Sequence, residues 1–125
     1  MSSEKKTTIL VVDDSRVSRL MSRQFILQTH PDWHIEEAAT GEEAVTKLGS
    51  VTPNLILLDV NMPGMGGIAA VEKLREVLPE VRICLMTANV QEATRDKAHK
   101  MGVQFAEKPI TQARIDHIIS SLGNT

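Results

Sequence analysis

Five polar residues of this chain stand at the carboxyl ends of short apolar runs. Asp13 and Asp14 follow the first run, Asp59 the third, Thr87 the fourth and Lys108 the fifth. Three carboxylates held close together raise one another's pKa values unless a cation or a lysine neutralises them. Mg²⁺ is commonly held by one or two carboxylates together with phosphate oxygens. If the runs are neighbouring strands, the pattern therefore indicates a site for Mg²⁺ and phosphate.

Each of these residues also has a purely structural explanation. Asp13 and Asp14 could cap a helix, Asp59 could begin a turn, and Thr87 could cap the helix that follows it. Lysines such as Lys108 usually extend into solvent. The joint occurrence of such residues after four separate runs favours a common site over four coincidences.

The apolar runs are typical of β-strands. Two of them are unbroken rather than alternating, as expected for strands of a parallel sheet that is covered on both faces. The five predicted strands are Ile9 to Val12, Ile35 to Ala39, Leu55 to Leu58, Val81 to Met86 and Val103 to Ala106.

The segments between the runs are predicted helices. Their apolar residues recur at helical spacing, as in Ile68, Val71 and Leu74. In the first helix, Ser15 to Thr29, one approximate side is apolar and carries Val17, Leu20, Met21 and Leu27. Alternating strands and helices predict an α/β fold with an open, doubly wound parallel sheet. Ligands of such sheets bind outside the carboxyl ends of the strands, where the five polar residues are expected.

Predicted helix ends agree with this pattern. Asp14 or Ser15 can cap the first helix and Thr111 the fifth, while Gly102 lies at the end of the fourth. Pro79 follows the third helix.

Composition and charge narrow the function classes. The 125 residues are 42% hydrophobic and 24% charged, which predicts one domain over residues 1–125 with a polar tail over about 1–7. A net charge of −2 argues against direct nucleic-acid binding. No apolar stretch is long enough for membrane insertion, so we expect a cytoplasmic protein. Cys84 is expected to be a buried thiol, and the histidines lack metal-ligand spacing.

Four motifs give the chain a close resemblance to the receiver domains of bacterial two-component response regulators. They are ILVVDDS (9–15), LILLDVNMPGMGG (55–67), CLMTA (84–88) and FAEKPI (105–110). The resemblance implies a CheY-like, five-stranded parallel sheet in the flavodoxin-like order 2-1-3-4-5, with helices on both faces. It also implies that the chain catalyses only its own aspartyl phosphorylation and dephosphorylation, and is not otherwise an enzyme.

The resemblance assigns a role to each polar residue. Asp59 would accept the phosphoryl group, while Asp14 would bind Mg²⁺ directly and Asp13 through a water. Asn61 would be a further metal ligand through its backbone carbonyl. Lys108 and Thr87 would each contact a phosphoryl oxygen, which is the positioning and charge stabilisation that phosphoryl transfer needs.

The resemblance also implies a switch. Thr87 would move toward the phosphoryl group and Phe105 would then turn inward, shifting the surface of the fourth helix, the fifth strand and the fifth helix. The fourth helix, Val90 to Met101, has a weak apolar stripe and suits such a surface. Pro109 would follow a cis peptide bond, and Asn61 and Asn89 would tune the lifetime of the phosphorylated state.

Expected partners are a sensor histidine kinase or histidine phosphotransfer protein, and an unknown protein target. We expect a stand-alone regulator of chemotaxis or phosphorelay type. Alternatives are a Mg²⁺-dependent aspartyl phosphatase, although Asn61 replaces its usual second aspartate, and a degenerate receiver that only binds partners. A flavodoxin-like electron carrier is disfavoured because Asp13 and Asp14 would repel a flavin phosphate.

Overall fold

The computed structural model describes residues 7–60, 66–88 and 91–120. Five parallel strands form one sheet in the order β2-β1-β3-β4-β5, which confirms the predicted topology. The strands are β1 (Thr8–Val12), β2 (His34–Ala38), β3 (Leu55–Asp59), β4 (Arg82–Thr87) and β5 (Gln104–Glu107).

A helix follows each strand, as the alternating pattern predicted. The helices are α1 (Arg16–Thr29), α2 (Gly41–Lys47), α3 (Gly66–Val77), α4 (Glu92–Lys100) and α5 (Gln112–Ser120).

Two hydrophobic cores lie on opposite faces of the sheet. Alternate residues of a strand point to opposite faces, so Leu10 of β1 packs with the buried residues of α2, α3 and α4. Ile9 packs on the other face, with Ile26 of α1 and Ile115 of α5. Both faces of the central strands are therefore covered, which explains their unbroken apolar sequences.

The buried face of α1 differs from the predicted apolar side. Val17 is 65% exposed, and Leu20 and Met21 are also exposed. Only Leu27 of the predicted side is partly buried and packs against the core that contains Ile26. The buried residues of α1 are Ser22 and Ile26. Because 22 and 26 are one turn apart, they share the face that meets the sheet. The apolar residues near the start of α1 lie off this face.

Several smaller predictions are confirmed. Thr111 accepts the backbone N–H of Arg114 at 3.1 Å, and Gly102 has φ +71° after α4. Cys84 is buried, and desolvation raises the pKa of its thiol to about 12. Among the described residues, no helix has the length and apolarity needed to cross a membrane.

Candidate functional site

The predicted site residues lie together at the carboxyl edge of the sheet. Asp13 directly follows β1, Asp59 ends β3, Thr87 ends β4 and Lys108 directly follows β5. Asp13, Asp59 and Thr87 are buried, whereas Asp14 is exposed. We call these five residues the carboxyl-edge cluster.

The three carboxylates of the cluster are within reach of a single cation. One oxygen from each of Asp13, Asp14 and Asp59 lies within 4.8 Å of the other two. Asp13 and Asp59 are shielded from solvent, while Asp14 opens toward it. Hard oxygen donors at this spacing suit a divalent cation that keeps some of its waters.

Lys108 supplies the positive charge of the cluster. Its Nζ lies 2.8 Å from Oδ2 of Asp13 and 3.7 Å from Oδ2 of Asp59. Because three carboxylates face one ammonium, the ionised cluster keeps an excess of negative charge. Such an excess is unfavourable in a largely buried site unless a cation compensates for it. Both the donor atoms and the charge therefore fit a bound divalent cation.

The turn between β1 and α1 orients the carboxylate of Asp13. The amide N–H of Ser15 donates to Oδ1 of Asp13 at 2.9 Å, and the Asp13 amide donates to the carbonyl of Ala38 at 3.1 Å. Ser15 caps α1, because its Oγ accepts the N–H of Ser18 at 3.2 Å. Of the two predicted caps the structure uses Ser15, and Asp14 belongs to the cluster instead.

Arg19 and Glu37 support this turn, although no sequence motif indicated a role for them. Arg19 donates from Nη1 to the carbonyl oxygen of Asp13 at 2.6 Å and from Nε to Oε1 of Glu37 at 3.0 Å. Oε2 of Glu37 accepts from Nε of Arg23 at 2.9 Å. The only available signal was the spacing of two arginines on one helix face, four residues apart.

Two opposing effects act on the pKa of Glu37. Burial is the larger single effect and by itself raises this pKa, whereas the hydrogen bonds and charges of Arg23 and Arg19 lower it. The two arginines together outweigh burial, so the pKa lies below its ordinary value. Glu37 is therefore held as an anion between the two guanidinium groups.

The predicted switch residues, Thr87 and Phe105, lie on the same face of the sheet. Phe105 pairs with Leu85, two residues before Thr87 on β4, and residues two apart on a strand share a face. The Thr87 carbonyl accepts the N–H of Lys108 at 2.8 Å. Phe105 is half-buried, and the guanidinium carbon of Arg95 on α4 lies 5.9 Å from its ring centroid.

The sequence also predicted roles for Pro109, Asn61 and Asn89. The Lys108–Pro109 peptide bond is cis, as the resemblance implied. Asn61, predicted as a backbone ligand of the metal, and Asn89, predicted to influence the phosphorylated lifetime, lie outside the described residues.

Known proteins are similar in sequence to this chain over most of its length. Residues 9–120 match the response regulator receiver domain family. The chain belongs to this family. This receiver domain is 36% identical over 102 residues to the nitrate/nitrite response regulator protein NarL of Escherichia coli K12, an alignment that covers 82% of this chain and 47% of NarL. It therefore spans about half the length of NarL.

A second relative matches the receiver domain over nearly its whole length. The chemotaxis protein CheY of Thermotoga maritima is 32% identical over 117 residues, which cover 92% of this chain and 96% of that protein.

Solved structures show the same fold. A CheY-like receiver domain protein from Methanospirillum hungatei has a TM-score of 0.85 at 23% identity, with 94% of each chain covered. The CheX-CheY-BeF₃-Mg complex from Borrelia burgdorferi has a TM-score of 0.85 at 27% identity, with 95% of this chain and 90% of that chain covered. The protein is thus a response regulator receiver domain of two-component signalling.

Proposed function

We propose that this receiver domain accepts a phosphoryl group on Asp59 from the phosphohistidine of a sensor histidine kinase or a histidine phosphotransfer protein. The observation that carries the proposal is the surroundings of Asp59. Its buried carboxylate lies within 4.8 Å of oxygens of Asp13 and Asp14, and 3.7 Å from Nζ of Lys108. A nucleophile placed there has cation ligands and a positive charge beside the transferring group.

The transfer exchanges one bond at phosphorus for another. A carboxylate oxygen of Asp59 forms the new P–O bond while the P–N bond to the donor histidine breaks. The ring nitrogen keeps the electron pair of the broken bond. Asp59 attacks as the carboxylate, so no general base is needed, and the site contributes positioning and charge stabilisation.

Asp13, Asp14 and Asp59 would hold a Mg²⁺ ion, with the backbone carbonyl of Asn61 as a further ligand that the family resemblance supplies. When bound, Mg²⁺ would offset negative charge on the phosphoryl oxygens. In our proposal Nζ of Lys108 pairs with one phosphoryl oxygen, and the hydroxyl of Thr87 donates to another.

The signal leaves through the surface formed by α4, β5 and α5 in our proposal. Movement of Thr87 toward the phosphoryl group allows the Phe105 ring to turn inward, which changes the surface offered to a target protein. Two observations support this path. Phe105 is half-buried beneath Arg95 of α4, and α4 is anchored through one buried residue, Ala98. We propose that this contact with the target protein takes place in the cytoplasm.

Acetyl phosphate tests the proposal without a partner kinase. With Mg²⁺ present, intact-protein mass spectrometry should show one added phosphate on the wild type and none on Asp59→Asn. Asp32→Asn is the matched control, because Asp32 is exposed in the turn before β2, at the opposite edge of the sheet. Labelling of Asp59→Asn equal to that of Asp32→Asn would overturn the assignment.

The aspartyl phosphatase alternative makes a different prediction. Steady turnover of p-nitrophenyl phosphate that disappears in Asp59→Asn would favour the phosphatase, whereas a receiver should show no such turnover. The two readings thus separate in one assay series.

A further inference from the structure

One arginine of α1 contacts the main chain that carries the carboxyl-edge cluster. Nη1 of Arg19 donates to the carbonyl oxygen of Asp13 at 2.6 Å. This carbonyl lies at the point where β1 ends and the turn to α1 begins. The Asp13 amide is bound as well, to the carbonyl of Ala38 on β2. Both main-chain polar groups of Asp13 are therefore fixed, and one of them by a side chain.

Glu37 holds the Arg19 guanidinium in place. Nε of Arg19 donates to Oε1 of Glu37 at 3.0 Å while Nη1 contacts Asp13, so two edges of one rigid, planar group are used. The side chain of Arg19 is only 15% exposed and that of Glu37 only 24% exposed. A planar guanidinium bound at two points transmits its position to the carbonyl that it contacts.

The turn held in this way carries two of the three clustered carboxylates. Asp14 immediately follows the bound carbonyl, and the Asp13 side chain is oriented by the Ser15 amide of the same turn. Groups that orient metal ligands from outside the ligand set influence affinity strongly, and their loss typically costs about 10- to 100-fold.

We propose that Arg19 is a positioning residue for the cation site, acting through the Asp13 carbonyl and itself oriented by Glu37. The inference rests on the proposed function for the identity of the cation, Mg²⁺. Arg19 contacts the main chain of Asp13 rather than the ligand oxygens, so its effect is on the geometry of the β1–α1 turn.

Arg23 provides a matched control on the same helix. It shares Glu37 with Arg19, since its Nε donates to Oε2 at 2.9 Å. Its second contact is the carbonyl of Ile35 on β2 rather than that of Asp13. Loss of either arginine therefore breaks one ion pair to Glu37, but only loss of Arg19 releases the turn that bears the acidic pair.

Isothermal titration of the full chain with Mg²⁺ tests the difference. Arg19→Met should weaken Mg²⁺ binding by about tenfold, and Arg23→Met should change it by less than about twofold, while thermal unfolding shows similar losses of stability. Arg19→Lys keeps the positive charge but lacks the planar guanidinium, so it should show an intermediate loss of Mg²⁺ affinity. This variant replaces Arg19→Met in the test if Arg19→Met does not fold. Equal weakening by the Arg19 and Arg23 variants would overturn the positioning role.

A measurement without metal separates this proposal from the proposed function. In the metal-free protein, the amide resonance of Ser15 reports its hydrogen bond to Asp13. That resonance should move in the Arg19 variants and stay in place in Arg23→Met. If the wild type binds no Mg²⁺, the proposed function fails and the Ser15 resonance still decides the role of Arg19. An unmoved resonance in both Arg19 variants would refute it.

Discussion

The ammonium group of Lys108 is paired with Oδ2 of Asp13 at 2.8 Å. The same Nζ lies farther from the proposed phosphoacceptor, at 3.7 Å from Oδ2 of Asp59. Lys108 thus offsets part of the negative charge that a cation would otherwise compensate. A bound cation and Lys108 are expected to compete for Asp13, and a phosphoryl group gives Lys108 a new partner.

Replacement of Lys108 by alanine should therefore not weaken Mg²⁺ binding. Removing a positive charge from beside Asp13 favours a cation at the acidic residues, so we expect affinity to rise between about two- and tenfold, at most ~1.4 kcal/mol. The same variant should lose the coupling between phosphorylation and movement of Phe105. Calorimetric titration measures the first effect, and Phe105 ring shifts with beryllofluoride measure the second.

Lys47→Ala is the control for Lys108→Ala, because Lys47 also pairs with a carboxylate, Glu36, but on β2 away from the cluster. It should leave both readouts unchanged. A loss of Mg²⁺ affinity in Lys108→Ala would contradict the competition for Asp13. Full Phe105 shifts in that variant would contradict the role of Lys108 in coupling phosphorylation to Phe105.

Arg95 lies over the ring of Phe105 and should favour its present position. Cation–π contacts at exposed sites are worth about 0.5–1 kcal/mol, so Arg95→Ala should shift the ring equilibrium toward the phosphorylated state by about that amount. Ring resonances of Phe105 in the unphosphorylated variant should move part of the way toward those of the beryllofluoride form. Lys97→Ala removes a cation elsewhere on α4 and should leave them unmoved. Identical spectra for Arg95→Ala and wild type would exclude this role.

Gly67 allows the start of α3 to pack closely against the backbone of Asp59 and Val60. A Cβ at Gly67 would lie 2.6 Å from Cα of Val60 and 3.0 Å from the carbonyl oxygen of Asp59. Because both contacts are with backbone, Gly67→Ala should lower the free energy of unfolding by about 1–3 kcal/mol and slow phosphoryl uptake. Urea titration and acetyl phosphate labelling measure the two effects.

Gly49→Ala is the matched substitution for Gly67→Ala. Gly49 lies on the turn after α2, and its new Cβ would lie 3.3 Å from the carbonyl oxygen of Thr46. We expect a smaller loss of stability and an unchanged labelling rate. Equal behaviour of the two alanine variants would argue against a special constraint beside Asp59.

Glu37 should make the stability of the domain depend on pH in the acid range. Its pKa in the folded protein lies below the ordinary value of 4.5, so its stabilisation is complete above about pH 4.5 and is lost as pH falls through the lower, folded value. Glu37→Gln should cost roughly 1 kcal/mol at neutral pH and less below pH 4.5. Urea unfolding at several pH values, with exposed Glu72→Gln as baseline, measures this. A constant difference between wild type and variant down to pH 3 would contradict it.

The fold was predictable because its signals are periodic and local. Unbroken apolar runs such as Leu55 to Leu58 marked buried parallel strands, and Ser15 and Thr111 marked helix starts. The face of α1 was harder, since Ser22 is buried and Val17 is exposed. Residue type alone would predict that Val17 is buried and Ser22 exposed. The packing of α1 against the sheet decides which face is covered.

The cluster was predictable from topology, whereas its support was not. Parallel strands bring residues that follow them to one edge, so Asp13, Asp59 and Lys108 could be placed together from sequence. The hydrogen bonds of Arg19 depend on the rotation of α1 over the end of β1 and on the register of β2. That register places Glu37 within hydrogen-bond distance of Arg19. Neither quantity is encoded in a short motif.

Chemical trapping of the phosphoryl group tests the central claim most directly. Borohydride reduces an aspartyl phosphate to homoserine, so the protein is incubated with acetyl phosphate and Mg²⁺, reduced and mapped by peptide mass spectrometry. We predict homoserine at position 59, and its absence when Mg²⁺ is removed with a chelator. Homoserine at another aspartate, or none at all with Mg²⁺ present, would contradict the assignment of Asp59 as the phosphoacceptor.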